Sequence, residues 1–397
     1  MAATEVSRRA SRPAFLRSLP WVAAGLGALA ARNAHAQSNV DFRYLFYKES
    51  GGRTQVSNPD IFLHQDFGDT GGQLSLLLAY DTISGASPTG GYPTSDTTSS
   101  ASGGSSTTSN VPQVAYHDTR RSGTLSYARK FGANLPSIDL SYSRENDYLS
   151  RSAGFSDAWT MAHGRGTLHF GASLSHDVVM PVTNRLDLAK SSDAYAAGWT
   201  WIVGERDLLD LSMSLTRLNG YLDDPYKIVP VGDATLPEHR PDSRSRRAVV
   251  AKYGHYYDVR GALKMTYRYY FDDWGIKAHT IEAIYDQHVG ERWIVSPQVR
   301  LYTQTAASFF TDKLSAPRTY MSADYRLSPF DNVLGGLTVS YQVRPGLWAS
   351  VGGTTQSQRG RDRVVPIGSS GDLGESGSVS SADLATTTVT IGLSWRY

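Results

Sequence analysis

The sequence predicts an all-β protein: a single transmembrane, antiparallel, up-and-down β-barrel of about 16 strands, with 14 as the alternative count. Three observations predict it. Segments of roughly ten residues alternate apolar and polar side chains. No helical period lies between them. The connections alternate between short turns and long loops, as the two rims of a barrel require. The competing fold is a secreted, soluble β-sandwich.

The N-terminal segment is set apart from this pattern. Arg8, Arg9, Arg12 and Arg17 precede an apolar stretch from Leu19 to Ala31, and Ala34-His35-Ala36 has the small-x-small form of a cleavage site. This is the layout of a secretory signal peptide, so residues 1–36 are expected to be removed and residues 37–397 to form the barrel. The leader carries five Arg and one Glu, and its loss turns the formal net charge from +2 to −2. Nothing in that balance suggests nucleic acid as a partner. With no Cys, the chain has no disulfide framework, no thiol chemistry and no lipid-anchored N-terminus. No later segment reaches the roughly 18 consecutive apolar residues of a membrane helix. The 23 Tyr and 8 Trp suit the aromatic girdles of a barrel.

The clearest strand is the last. Val389, Ile391, Leu393, Trp395 and Tyr397 share one face, and Thr388, Thr390, Gly392, Ser394 and Arg396 the other. Trp395 and Tyr397 end the outward row and are expected to be the signal read by the barrel-assembly machinery. The same period gives 17 candidate strands: Val40–Glu49, Thr54–Gln65, Gln73–Ile83, Asp118–Phe131, Ser137–Asp147, Ser152–Met161, Thr167–Asp177, Asp193–Val203, Leu208–Asn219, Ser245–Tyr257, Ala262–Asp272, Lys277–His288, Arg292–Gln304, Tyr320–Leu327, Leu337–Val343, Leu347–Ser357 and Leu384–Tyr397. Bacterial single-chain barrels have an even number, so one is spurious. The suspects are Thr54–Gln65, which contains Pro59, and the region Thr311–Asn332.

Short turns are expected at Phe131–Pro136, His163–Gly166, Gly204–Asp207, Asp258–Gly261, Val289–Glu291 and Arg344–Gly346. Long loops are expected at Ser84–His117, Met180–Ser192, Gly220–Arg244 and Arg359–Ala382. Ser84–His117, rich in Gly, Ser and Thr, reads as a flexible loop.

If the apolar parity meets lipid, the other parity lines the lumen. It carries Lys264, Thr266, Arg268 and Asp272; Glu282, Asp286 and His288; Ser296, Gln298, Arg300 and Gln304; Ser322, Asp324 and Arg326; and Asp139, Ser141, Ser143, Glu145 and Asp147. Both signs of charge are present, so these residues either line a polar pore or pair with one another to stiffen the wall.

Two acidic pairs, Asp223-Asp224 and Asp272-Asp273, with His255 or His279 nearby in sequence, could bind a divalent metal or activate a water. Neighbours on a strand point to opposite faces, however, and Asp-Asp before Pro or Trp-Gly is ordinary loop chemistry. No P-loop, GxGxxG or HExxH motif is present. No catalytic residue, cofactor or metal ligand is assigned. The basic run Arg240–Arg247 flanks a long loop and could meet lipopolysaccharide phosphates at the outer rim, or simply be solvated.

Several segments carry a family resemblance. Asp81–Pro88 (DTISGASP), Ser141–Ser152 (SYSRENDYLSRS), Tyr221–Lys227 (YLDDPYK), Arg240–Arg247 (RPDSRSRR), Tyr267–Thr280 (YRYYFDDWGIKAHT), Arg300–Phe310 (RLYTQTAASFF) and Ser322–Ser328 (SADYRLS) resemble, in order, signatures of a bacterial family catalogued as domain of unknown function 3570. The resemblance spans nearly all of the mature chain. It implies a cell-envelope protein with an outer-membrane barrel, and it brings no activity, cofactor or catalytic residue. It also hints at a small envelope lipoprotein as a partner and at redox work in the envelope.

Together these readings place the mature chain in the outer membrane of a Gram-negative bacterium, in contact with membrane lipid and lipopolysaccharide. The functional expectation is a pore or conduit for small polar solutes. The alternatives are a scaffold barrel docking an envelope partner and, third, an outer-membrane hydrolase built on the acidic pairs.

Overall fold

The computed structural model describes residues 38–68, 71–88, 113–181, 186–362 and 380–397. In chain order the strands are β1 (Asn39–Glu49), β2 (Gln55–Asp66), β3 (Gly72–Pro88), β4 (Gln113–Arg129), β5 (Ser137–Arg144), β6 (Tyr148–Met161), β7 (Gly166–Val179), β8 (Leu188–Ile202), β9 (Asp207–Gly220), β10 (Ile228–Val231), β11 (Ala234–Pro237), β12 (Ser243–Tyr257), β13 (Gly261–Asp272), β14 (Lys277–Val289), β15 (Trp293–Gln304), β16 (Phe330–Arg344), β17 (Leu347–Gly360) and β18 (Leu384–Arg396). All except β10 and β11 form one closed barrel of 16 antiparallel strands, each beside its neighbours in sequence. β10 and β11 form a separate hairpin between β9 and β12.

Closure is made by β18 against β1, in register from Asn39↔Arg396 to Glu49↔Thr386. The seam is finished by Tyr397 N–H to the Ser38 carbonyl at 3.0 Å and Ser38 N–H to the Tyr397 carbonyl at 3.2 Å. Closure matters because an unpaired edge in hydrocarbon leaves N–H and C=O groups unsatisfied at several kcal/mol each.

The alternation in sequence becomes two chemically distinct walls. On β18, Val389, Ile391, Leu393 and Trp395 stand exposed on the outside, while Thr388, Thr390, Gly392 and Ser394 face in and are half-buried. Trp199 stacks on Trp201 with centroids 5.2 Å apart, and Trp395 lies 5.0 Å from Tyr397. With Trp293 against Tyr341, these rings band the outer wall near the end that holds Ser38 and Tyr397. That end carries the short connections, and tight turns there use residues with left-handed backbone, such as Gly290 (φ 63°) and Gly346 (φ 79°). The opposite end carries the long connections, among them residues 221–242 and 305–329.

Both suspect strands are resolved by the structure. Thr54–Gln65 is a strand, β2. Its ladder with β3 skips Asn58 and Pro59, and the Asn58 amide donates instead to Asp81. A proline is tolerated where the ladder is already interrupted. Tyr320–Leu327 is not a strand, which brings 17 candidates to the 16 found. Its first residues are extended, but they make isolated bridges, His239↔Met321 and Phe310↔Ser322, with other loop segments. Asp324 then caps a 3₁₀ turn over Tyr325–Leu327 by accepting the Arg326 N–H at 3.1 Å. An extended segment whose two buried sides meet different surroundings, one apolar and one polar, shows a period of two wherever its partners lie, so periodicity alone could not tell loop from barrel wall. The leader and most of Ser84–His117, along with parts of the loops Met180–Ser192 and Arg359–Ala382, lie outside the described residues.

Candidate functional site: a charged plug at the loop end of the barrel

Two of the long connections fold back into the loop end. The first, residues 221–242, opens with an Asx turn in which Tyr226 N–H donates to Asp224 Oδ1 at 3.0 Å. It continues into the β10–β11 hairpin. The second, residues 305–329, lies against it. Val229 and Val231 of the hairpin pack on Leu314, Met321 and Ala323, forming a small apolar core distinct from the barrel wall. A second cluster joins Ala307, Phe309 and Leu327 to Trp274 and Ile276 of the β13–β14 connection.

Between these clusters lie six charges. Asp224, Lys227, Glu238, Arg240 and Asp324 are buried, and Arg326 is nearly so. Three acids and three bases sum to zero. Arg326 bridges Asp224 (2.9 Å) and Asp324. Arg240 bridges Glu238 (2.7 Å) and Asp324 (2.9 Å). Glu238 also accepts the Asp224 N–H at 2.6 Å and the Ser322 hydroxyl. Lys227 lies over the Tyr325 ring, 5.8 Å from its centroid. Burial pushes the Glu238 carboxyl up to about 7 against the opposing pull of Arg240. Burial also acts to raise Asp324, but Arg326, Lys227 and Arg240 together hold it well below the usual carboxylate range. Burial pushes the Lys227 amine down.

The plug is tied to the wall at named points. Ser308 N–H of the second connection donates to the Trp274 carbonyl at 2.8 Å, and the Trp274 ring is held beneath Arg244 of β12, which pairs with Asp272 of β13 at 2.6 Å. Tyr226 donates to Asp147 at 2.5 Å, reaching the β5–β6 connection. Gln304 at the end of β15 donates to the Ser328 carbonyl at 2.7 Å. What space remains beside Asp224, Arg240, Arg244 and Arg326 amounts to about 30 Å³, the size of one water.

Towards the other end the interior changes character. Along β3 the inward row runs from half-buried Gln73, Ser75 and Leu77 to buried Ala79, Asp81 and Ile83. Along β13 it runs from exposed Lys264 to buried Asp272. On β3 and β13 exposure of the inner wall thus falls from the turn end towards the loop end, whereas on β6–β8 inward residues near the turn end, Ser156, Thr167, His169 and Thr200, are themselves buried.

The residues proposed for the lumen divide accordingly. Lys264, Arg268, Glu282, Asp286, His288 and Arg300 sit on the inward parity of β13, β14 and β15. Lys264 pairs with Asp286, which also accepts from Ser296 at 2.7 Å. Glu282 accepts from Gln298 at 3.2 Å, Arg300 donates to Gln356 at 2.9 Å, and the Arg268 guanidinium lies over Tyr270. Asp272, by contrast, belongs to the plug anchor. Asp324 and Arg326 are not on a barrel strand but in the centre of the plug. Glu145 and Asp147 were expected at the end of a strand, but β5 stops at Arg144 and they lie buried in the connection to β6, beside Asp118. Asp272 ends β13 where loops already cover the wall, Glu145 and Asp147 continue the alternation of β5 past its last residue, and Asp324 and Arg326 belong to a loop segment that alternates on its own.

The acidic pairs are not brought to a histidine of β12 or β14. Asp223 accepts from the Arg240 N–H, Asp273 from the Ser245 N–H, and Asp224 and Asp272 are salt-bridged. His279 stacks on the outer wall against Tyr269, and His255 pairs with Asp207 at the turn end. The basic run is also placed differently from the outer-rim reading, since Arg240 and Arg244 turn inward to carboxylates. Lys227, Glu238, Arg240 and Arg244 were not recognised as one group. The available signal was the apolar Ile228–Val231 inside a long loop, which marks a loop with its own core.

The segments that carry the family resemblance are thus scattered in sequence and gathered in space: Tyr221–Lys227, Arg240–Arg247, Tyr267–Thr280, Arg300–Phe310 and Ser322–Ser328 all contribute to the plug or its anchors. Among solved structures the chain is similar to a bacterial polysaccharide outer membrane secretin, with 8% identity and a TM-score of 0.51 over 92% of this chain and 100% of that one. It is similar at lower TM-scores to CdiB from Acinetobacter baumannii (10% identity, 0.49, 91% of this chain and 60% of that one) and to an anion-selective porin from Comamonas acidovorans (12% identity, 0.38, 91% and 99%). The first likeness shows an outer-membrane-type barrel fold and no more. No curated protein matches the chain. The model of the family described as "Protein of unknown function (DUF3570)" matches residues 18–194 and 185–384, and the chain belongs to that family.

Proposed function

We propose that the chain is an outer-membrane conduit for small polar solutes whose outward end is closed at rest by the two-loop plug. The observation that carries this reading is the contrast inside the barrel: a polar wall that solvent reaches towards the turn end of β3 and β13, and a loop end filled by a buried cluster of three acids and three bases. In this reading the N-terminal 36 residues direct export and are removed, the turn end faces the periplasm of a Gram-negative cell, and the loop end faces outward. A 16-strand barrel is wide enough for an aqueous channel, so the plug rather than the wall limits passage.

Planar-bilayer recording tests it. Wild-type protein is expected to give rare, brief openings, and a variant lacking residues 228–237 to conduct steadily. Absence of conductance in both, with the barrel intact by heat-modifiable gel mobility, overturns the conduit. That outcome supports the second reading, a closed scaffold barrel, which the filled mouth favours.

A further inference from the structure

We propose that the outer wall of β1–β6 binds a phosphorylated, acylated glycolipid of the outer leaflet, its phosphates on Arg121, Arg144 and Arg151 and one acyl chain in the groove beside them. Two independent features of the wall point there.

The first is a cluster of cations without anions. Arg121 and Arg144 stand directly opposite each other on β4 and β5. Arg151 of β6 faces Tyr142, one outward position along from Arg144. All three are exposed and share the outer face with Leu125, Leu140, Tyr142 and Phe155. Like charges placed opposite in a sheet repel. Several inward arginines meet carboxylates, as Arg120 meets Asp81 and Arg244 meets Asp272, while single outward ones such as Arg247 lie over a ring. None of these three forms an ion pair among the described residues, and the contact of Arg121 is with the face of Tyr80. A phosphate bearing two or more negative oxygens resolves the repulsion, and guanidinium is the side chain best shaped for it.

The second feature is a mainly apolar groove of about 500 Å³ across β1–β5 whose lining includes Arg121. Its rails include Phe42, Ile61, Leu78 and Tyr142, and its floor is Pro59 and Gly123. Gly123 lies between Leu78 and Tyr142 in register and has no side chain to fill the space. A mainly apolar groove open to lipid, with a guanidinium in its lining and two more beside it, has the chemistry of an acyl chain joined to a phosphate.

The depth fits. Arg121 lies eight positions before Arg129, the turn-end terminus of β4. A tilted strand rises roughly 2.5 Å per residue along the membrane normal, which puts Arg121 about 20 Å up, near the loop-side border of an apolar band about 25 Å tall. That this border faces the outer leaflet, where phosphorylated glycolipid is the anionic lipid, rests on the orientation adopted under the conduit reading.

Native mass spectrometry of the full-length barrel in detergent, its fold confirmed by heat-modifiable mobility, tests the site with purified lipid A as the probe. Wild-type protein is expected to retain lipid A in preference to dephosphorylated lipid A and to phosphatidylglycerol. The triple variant R121Q/R144Q/R151Q should lose about tenfold or more in affinity. Gly123→Leu, with every arginine present, should weaken binding by filling the groove, and Lys277→Gln, which removes a distant outward charge, should leave it unchanged. Equal retention by the triple variant overturns the proposal, as does equal binding of dephosphorylated lipid A or of phosphatidylglycerol. A barrel that binds lipid A but never conducts bears on the conduit reading alone.

Discussion

The interior of the barrel holds two populations of charge that look alike in sequence and differ in physics. At the loop end Asp224, Glu238, Asp324, Lys227, Arg240 and Arg326 are withdrawn from water and each depends on its partners. On the wall below, Lys264 and Asp286 pair while Lys264 stays mostly solvent-exposed. Coulomb attraction is strong in the first setting, but so is the penalty for a missing partner; in the second, water screens both. The lesson is that charge pairing holds a structure together only where the chain has first excluded water, and here the two small apolar clusters of the plug exclude it.

The largest effect is expected from Asp324→Ala. It leaves Arg240 and Arg326 buried with one acid each, and losing one partner of a buried pair costs roughly 3–5 kcal/mol. The plug should detach while the barrel stays closed. Limited proteolysis should then cut within residues 305–329, with heat-modifiable mobility unchanged. Protection equal to wild type would mean that the apolar clusters hold the loops without the charges.

An intermediate effect concerns pH. Glu238 is raised to about 7 in the closed plug by burial, and faces Arg240, Asp224, Asp324 and Ser322. Released into water it returns to its ordinary value of 4.5. The closed state therefore binds the proton more tightly, and its stability falls as pH rises from about 4.5 to 7. Asp324, held low, is ionised in both states over that window and does not reverse the sign. The protection factors of residues 228–237, corrected for the intrinsic base catalysis of exchange, should fall by about tenfold or more between pH 5 and pH 8, and Glu238→Gln should flatten that fall. A profile equally steep in the variant would assign the titration to another group.

The smallest effect belongs to Lys264→Ala on the wall. A solvent-reached pair contributes roughly 0–1 kcal/mol, so unfolding in urea and gel mobility should both match wild type. A loss as large as that of Asp324→Ala would show that the wall is as dry as the plug.

How much of this was legible in sequence follows from what alternation reports. The strand Leu384–Tyr397 was legible because Val389, Ile391, Leu393 and Trp395 must face lipid while their neighbours must not, and a period of two records that directly. The inward parity of Lys264, Glu282 and Arg300 came from the same rule. Tyr320–Leu327 shows where the rule stops. Ser322 and Asp324 alternate with Met321, Ala323 and Tyr325 because a second layer buries both sides, and periodicity carries no information about which layer that is. The apolar residues of Ile228–Val231 were visible but needed Leu314 and Met321, more than 80 positions away, to acquire meaning.

The sequence by itself determined the strand chemistry: two faces, an even closed ring, and a terminal strand fit to seal against the first. These are local properties, fixed by a residue and its near neighbours against lipid or water. Only the tertiary structure decided that Asp224, Lys227, Glu238, Arg240, Asp324 and Arg326 form one neutral, water-excluded cluster and that Arg121, Arg144 and Arg151 stand together on the outer wall. Both groupings join positions from different connections or strands, and the register of a closed sheet brings such positions together in a way that no local pattern specifies.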